Sequence, residues 1–262
     1  MRNIKLTIEY DGTNFNGWQT QQARNLTNRQ PSQKGQRTVQ GEMEKALKKI
    51  FKKDLKLIGS GRTDSGVHAL GQVANFQTRS IMPTTKIQSA LNANLPDDIA
   101  ITKTEDVPLN FHSQYSVQSK TYRYTILNRN SRCVQQRDFC LLYHHKLNLR
   151  AMKEEAKSLL GRQDFKSFTA SDPAKCKKGI EGNTVRTIKR LTINKKGDFL
   201  TIDIEANGFL YKMVRNIVGT LLEVGIGKLP KGSIKQILLK KDRNTAGITA
   251  KPKGLMLLEV KY

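Results

Sequence analysis

From Gly59 to Gly71 the chain reads Gly-Ser-Gly-Arg-Thr-Asp-Ser-Gly-Val-His-Ala-Leu-Gly, with four glycines in thirteen residues. Inside a helix or strand each glycine costs about 0.5–1 kcal/mol relative to alanine, so neither element is expected to run through this stretch. A run of this kind permits a tight loop whose backbone can approach a ligand closely. Set into it are a guanidinium, Arg62, and a carboxylate, Asp64, with Thr63 between them. Taken alone, an aspartate in a glycine loop reads as a turn former or a helix N-cap. The flanking sequence has to decide whether Asp64 is more than that.

Ile4, Leu6, Ile8 and Tyr10 alternate with polar residues and predict a half-buried strand that runs into the turn signal Asp11-Gly12-Thr13-Asn14. Phe15 and Gly17-Trp18-Gln19 follow; the tryptophan reads as a ring plugging a core edge or as an aromatic lining a binding cleft. Residues 23–36 are polar, carry Pro31 and Gly35 and show no period, which predicts a flexible arm. A helix starts at Thr38, with Val39, Met43, Ala46, Leu47 and Ile50 on one face. Leu55 to Ile58 is a short strand delivering the glycine loop, and Val73 to Phe76 is its exit strand. A second helix follows Pro83 and a further strand covers Ile99 to Asp106. The order strand–helix–strand–strand–helix–strand is the split βαβ plan. It predicts an N-terminal α+β domain over 1–108, ending near Val107-Pro108, and a second α+β domain over 109–262.

The second half uses longer pieces. Tyr115 to Leu127 is a long strand region carrying Lys120, Tyr122, Arg123 and Tyr124. Arg150 to Leu160 is an amphipathic helix closed by Gly161. Arg186 to Ile193 and Phe199 to Glu205 form a hairpin around Lys195-Lys196-Gly197-Asp198. Leu210 to Val224 is a helix with Met213, Ile217, Val218, Leu221 and Leu222 inward, Lys231 to Lys241 holds a short basic helix, and Leu255 to Val260 is the closing strand.

Charge narrows the partner. The chain carries 46 basic against 22 acidic residues, a net charge of +24. That excess attracts a polyanion, either nucleic acid or an anionic membrane. No apolar run approaches the roughly 18 residues of a membrane span, and the N-terminus enters a strand directly, so nucleic acid is the better match. Cys133, Cys140 and Cys176 are odd in number and lack paired metal or redox spacing, which fits a reducing cytoplasm.

Several site types are absent from the pattern. There is no phosphate-binding glycine loop followed by Lys-Ser or Lys-Thr, and no dinucleotide fingerprint after a strand. His68, His112, His144 and His145 lack metal-ligand spacing, and His144-His145 reads as a surface pair. Nothing points to a cofactor. What remains is Asp64, the basic groups and the aromatics. A carboxylate among cations stays ionised and can act as nucleophile or base. Tyr122, between Thr121 and Arg123, offers a ring on which a base could stack, worth about 1–3 kcal/mol. An enzyme acting on a paired base must first take it out of the stack.

Along nearly its whole length the chain resembles the TruA-type tRNA pseudouridine synthases. The resemblance rests on Tyr10-Asp11-Gly12 with Phe15 and Gly17-Trp18-Gln19, on Arg37-Thr38-Val39-Gln40 with Glu42 and Ala46-Leu47, and most specifically on Gly61-Arg62-Thr63-Asp64 followed by Gly66-Val67-His68-Ala69. Phe111-His112, Tyr122-Arg123-Tyr124, Asp164-Phe165 with Ser167-Phe168, and Met213 through Gly219 recur in the expected order. Arg243, Ala246-Gly247, Gly254-Leu255 and Val260-Lys261-Tyr262 complete the set.

The resemblance implies an isomerase that breaks the N-glycosidic bond of a uridine, turns the base and rejoins it through carbon. Asp64 would be the essential carboxylate, acting on the ribose or on the base. Arg62 would help hold the flipped nucleotide, Tyr122 would stack on the uracil, and Arg215 would pair with Asp64 from the second domain. The family uses no cofactor and works as a cytoplasmic homodimer. It acts on the anticodon stem-loop of tRNA, at positions 38, 39 and 40, with the tRNA touching both subunits. Its fold is α+β, two ferredoxin-like (split βαβ) domains sharing a continuous antiparallel sheet with a basic cleft between them. Gln114 and Lys120 stand where the family usually has arginine, Ala250-Lys251-Pro252-Lys253 is more basic than usual, and the arm at 23–36 is longer. A rival from another class is a non-catalytic RNA-binding or RNA-folding protein on the same scaffold.

Overall fold

A computed structural model describes residues 1–19, 37–170 and 182–262; the arm expected at 23–36 and Cys176 lie outside the described residues. The chain divides into two compact units, Met1–Gln118 with Leu257–Tyr262, and Ser119–Met256.

The first unit contains, in order, β1 (Arg2–Tyr10), α1 (Val39–Phe51), β2 (Ile58–Gly59), β3 (His68–Thr78), α2 (Thr84–Asn92) and β4 (Ile99–Val107). β1 pairs antiparallel with β3 on one side and with β4 on the other, and β2 adds to β3. This is the split βαβ arrangement expected for this half. The alternation along β1 buries Ile4, Leu6, Ile8 and Tyr10 as anticipated. Thr38 caps α1, its side chain accepting from the Gly41 amide, and the helix buries Val39, Met43, Ala46 and Leu47.

Two boundaries differ from expectation. β2 is only Ile58–Gly59, and β3 begins at His68, inside the glycine-rich stretch. Gly71 therefore sits within a strand. A Cβ there would lie 2.5 Å from the carbonyl oxygen of Leu258, so the glycine marks the close approach of another backbone.

The second unit runs β5 (Ser119–Leu127), β6 (Leu141–Leu142), α3 (Leu149–Ala156), β7 (Gly161–Asp164), β8 (Val185–Lys196), β9 (Phe199–Ala206), α4 (Met213–Gly225) and α5 (Ser233–Lys240). β5, β9, β8 and β7 lie side by side with antiparallel pairing, and β6 pairs parallel to β5. α3 packs against α4 and α5. The long strand expected from Tyr115 starts at Ser119, because the amides of Tyr115 and Ser116 both donate to the His112 carbonyl in a turn. The helix expected to reach Leu160 tightens into a 3-10 turn over Lys157–Leu159. α4 begins at Met213 rather than Leu210, since Lys212 is left-handed with φ 58° and cannot extend it.

β10 (Leu255–Lys261) closes the chain. From Leu257 onward it belongs to the first unit, where it lies beside β3. There the Gln118 amide donates to the Lys261 carbonyl at 2.8 Å and the Tyr262 hydroxyl donates to the Ser113 carbonyl at 2.8 Å. The fold is α+β with a large, mostly antiparallel sheet, the class expected. No helix of the described residues is long and apolar enough to cross a membrane.

Candidate active site

The Arg62-Thr63-Asp64 loop is held by hydrogen bonds and close contacts within the first unit. At its start the Ser60 amide donates to the Val73 carbonyl (2.7 Å), and Gln72, fully buried on β3, accepts from the Ser60 hydroxyl (2.6 Å) and donates to the Gly61 carbonyl (3.1 Å). In the middle, the Trp18 amide donates to the Thr63 carbonyl (3.2 Å), and the Thr63 hydroxyl meets the Tyr10 phenol at 2.8 Å. Beyond it, the Asp64 carbonyl accepts from the Val67 amide (3.2 Å), closing a turn with Gly66 in its third position at φ 75°. A turn of that type demands a positive φ there, which glycine supplies without steric cost. The Gly66 amide and the Ser65 hydroxyl both donate to the Phe15 carbonyl.

The segment Gly12–Trp18 forms the wall on which this loop rests. A Cβ on Gly12 would strike the Val67 carbonyl, and one on Gly17 the Thr63 carbonyl. Trp18 is buried, its indole packed where a Cβ on Gly59 would stand, so the ring is part of the core. Arg37 makes a bidentate pair with Asp98 (2.9 Å each) and lies over the Phe15 ring at 4.4 Å. The result is a backbone fixed along its length with Arg62 exposed, Thr63 buried and Asp64 half-buried. No helix starts at Asp64, so it is not an N-cap. A partly open carboxylate on an immobilised loop can serve as nucleophile, base or electrostatic partner without first being ordered.

Tyr122 and Arg215 belong to the second unit. Tyr122 lies on β5 opposite Ile204, 9% exposed, its ring edge-on to Phe209 at 5.1 Å. Its neighbour Arg123 is neutralised by a bidentate pair with Asp203 directly across the ladder (2.8 and 2.7 Å). That pairing raises the Arg123 pKa, whereas burial pushes Lys120 of the same strand down to about 8. Arg215 stands in the first turn of α4, its Nε donating to the Ala250 carbonyl at 2.7 Å. Asn216 next to it donates to the Phe168 carbonyl (2.7 Å) and accepts from Arg243 (3.1 Å) and Thr249 (2.6 Å). Asn216, Arg243 and the glycines at 219 and 247 thus lock residues 243–250 against α4.

Sequence reasoning placed Tyr10 in a strand and in a family motif without giving it a role at the site, and it did not single out Gln72. Tyr10 reads locally as one more apolar position of β1, and Gln72 as a polar residue of a strand. His68, set aside as a metal ligand, is buried and accepts the Gly12 amide at Nδ1 (3.0 Å). Among the described residues no cluster of three or more His, Cys, Asp or Glu side chains is arranged to hold a metal ion. His144 and His145 are exposed, as a surface pair should be.

The loop and α4 carry the same residues on which the family resemblance rests, and comparison with known proteins decides the matter. A family model described as tRNA pseudouridine synthase matches residues 6–116 and 156–262. The chain belongs to this family. It is an isomerase of the kind that converts uridine to pseudouridine. Among its relatives, a "tRNA pseudouridine synthase A" of Thermoanaerobacter sp. (strain X514) is 46% identical over 262 residues, covering 100% of both chains. Proteins of Caldicellulosiruptor bescii and Clostridium perfringens, named "tRNA pseudouridine synthase A" and "tRNA pseudouridine synthase A 2", are each 44% identical, again over 100% of both chains. A solved Cbf5-Nop10-Gar1 complex overlaps 84% of this pseudouridine synthase, and 44% of the matching chain, at 13% identity and a TM-score of 0.35.

Proposed function

We propose that this tRNA pseudouridine synthase isomerises uridines in the anticodon stem-loop of tRNA, with Asp64 as the essential carboxylate. The observation that carries the reading is the half-buried Asp64 on a loop whose backbone is bonded before, at and after it. The reaction breaks the C1′–N1 bond of uridine and makes C1′–C5, while C5 loses a proton and N1 gains one. Atoms and electrons balance without an oxidant or an energy source. One carboxylate suffices for the covalent or proton-transfer work, provided the nucleotide has been extruded from its stack.

In this reading, which follows the family resemblance, Arg62 holds the extruded nucleotide, Tyr122 stacks on its uracil, and Arg215 is the basic residue that supports the Asp64 carboxylate. Asp64 and Arg62 lie in the first unit, and Tyr122 and Arg215 in the second. The net charge of +24 neutralises tRNA phosphates. With 6–10 phosphate contacts, affinity would fall by about 10³–10⁵ between 50 and 200 mM salt. The family resemblance further supports a homodimer and a cytoplasmic site of action.

The deciding experiment is release of tritium from tRNA labelled at uracil C5, run with Asp64→Asn alongside filter binding. We expect turnover to vanish and tRNA binding to persist. Normal turnover by Asp64→Asn would remove Asp64 from the mechanism. The absence of tritium release by the unaltered protein on any tRNA would favour a non-catalytic RNA-binding role.

A further inference from the structure

We propose that Tyr10 and Thr63 are positioning residues, the hydroxyl contact between them turning Asp64 and Arg62 outward toward the substrate. The inference rests on the reading of Asp64 as the catalytic carboxylate, and it starts from an alternation. Arg62 is exposed, Thr63 is 8% exposed and Asp64 is half-buried. That exposed, buried, half-buried order has the period of two of an extended chain, in which drawing the middle side chain inward turns both neighbours outward. The Thr63 hydroxyl is drawn inward by the Tyr10 phenol, 2.8 Å away and 3% exposed.

Tyr10 is suited to this task because it ends β1, a strand paired on both sides, and does not itself lie on a loop. A group held by a sheet aims its partner more tightly than one held by loop backbone. The same phenol meets the side chain of Gln72, which also holds the Gly61 carbonyl, so both ends of the Gly61–Thr63 run refer to one buried cluster. Burial raises the pKa of the phenol, which keeps its proton available for these bonds. Core packing alone does not call for that hydroxyl. A phenylalanine ring would fill the same volume, and two hydroxyls that satisfy each other can be replaced together at little cost to stability. What their removal loses is the aim of the flanking side chains.

The test compares Tyr10→Phe, Thr63→Val, Thr63→Ser and the double variant Tyr10→Phe/Thr63→Val with the unaltered protein. Turnover, KM for tRNA and thermal midpoint are measured for each. A small misplacement of a reacting group costs up to about 100-fold in rate. We expect kcat to fall about 10- to 100-fold in Tyr10→Phe and Thr63→Val with KM within about twofold. Melting should drop by a few degrees in each single variant, which strands one buried hydroxyl, and recover in the double variant. Thr63→Ser, which keeps the hydroxyl, should retain most activity. The double variant should be no worse than the poorer single, because both remove one contact. Full kcat in Tyr10→Phe, a Thr63→Ser as poor as Thr63→Val, or losses that multiply in the double variant would overturn the proposal. If Tyr10→Phe does not fold, the Thr63→Ser and Thr63→Val pair decides by itself. Asp64→Asn runs alongside: residual turnover there sinks the reading of Asp64, whereas a dead Asp64→Asn with a fully active Tyr10→Phe sinks only the positioning role.

Discussion

Arg215 and Ala250 hold each other twice, the guanidinium Nε donating to the Ala250 carbonyl at 2.7 Å and the Ala250 amide donating to the Arg215 carbonyl at 3.1 Å. A side chain of the first turn of α4 is thereby oriented by the loop that precedes β10. Lysine cannot reproduce this, since it keeps the charge and loses the planar fork. We expect the single-turnover rate to fall about tenfold or more in Arg215→Ala and to recover little in Arg215→Lys. Rapid-quench measurement with saturating enzyme checks it. Weaker tRNA binding at an unchanged rate would reassign Arg215 to phosphate contact.

Gly219 lies in the middle of α4, where replacing glycine by alanine ordinarily gains about 1 kcal/mol. Here the added Cβ would strike the backbone carbonyl of Ile248, which cannot swing aside as a side chain can. The steric cost of overpacking, about 1–3 kcal/mol, outweighs the propensity gain. Urea denaturation of Gly219→Ala should show a lower midpoint; a higher one would mean that residues 243–250 shift freely.

Lys120 gives the protein a pH signature. Its folded pKa is depressed to about 8 by burial, while an unfolded lysine titrates near 10.4. Between those values the unfolded chain binds the extra proton, so stability from this group rises with pH across that window and is flat below it. Lys120→Met should remove the rise. Parallel denaturation series from pH 7 to 10 on both proteins isolate it from other titrations, and superimposable pH profiles would refute the assignment.

Glu155, buried on α3, accepts from the Gly232 amide at 2.6 Å and the Ile234 amide at 3.0 Å. It thus caps the start of α5, where Gly232 itself has no side chain to do so. Glu155→Gln keeps the shape but presents an amide to one of those N–H groups. A loss of about 1–3 kcal/mol is expected, read as a lower thermal midpoint. An unchanged midpoint would show that the amides find other acceptors.

Local pattern was enough for much of the first half. The period-two run of Ile4, Leu6, Ile8 and Tyr10 and the Thr38 cap with its buried face both appear as read, because alternation and capping are decided within a few residues. Ends of elements were less legible. Nothing near Leu210 announces that Lys212 takes a left-handed conformation and delays α4, and nothing near Gly71 shows the backbone of Leu258 beside it. The pairing of Arg123 with Asp203, 80 residues further along the chain, is announced by no pattern around either residue.

By itself, then, the amino-acid sequence determined the membership of the family, the α+β class, the polyanionic partner implied by a charge of +24 and the loop that bears Asp64. These are properties of residue order and composition. Only the tertiary structure decided why the loop has its shape. The Tyr10 phenol on Thr63, Gln72 on Gly61 and the glycines at 12 and 17 act through contacts between residues distant in the chain. It also decided that the closing strand returns to the first unit, beside β3. A hydrogen bond or a backbone approach of that kind depends on where two segments meet, and no local period encodes the meeting point.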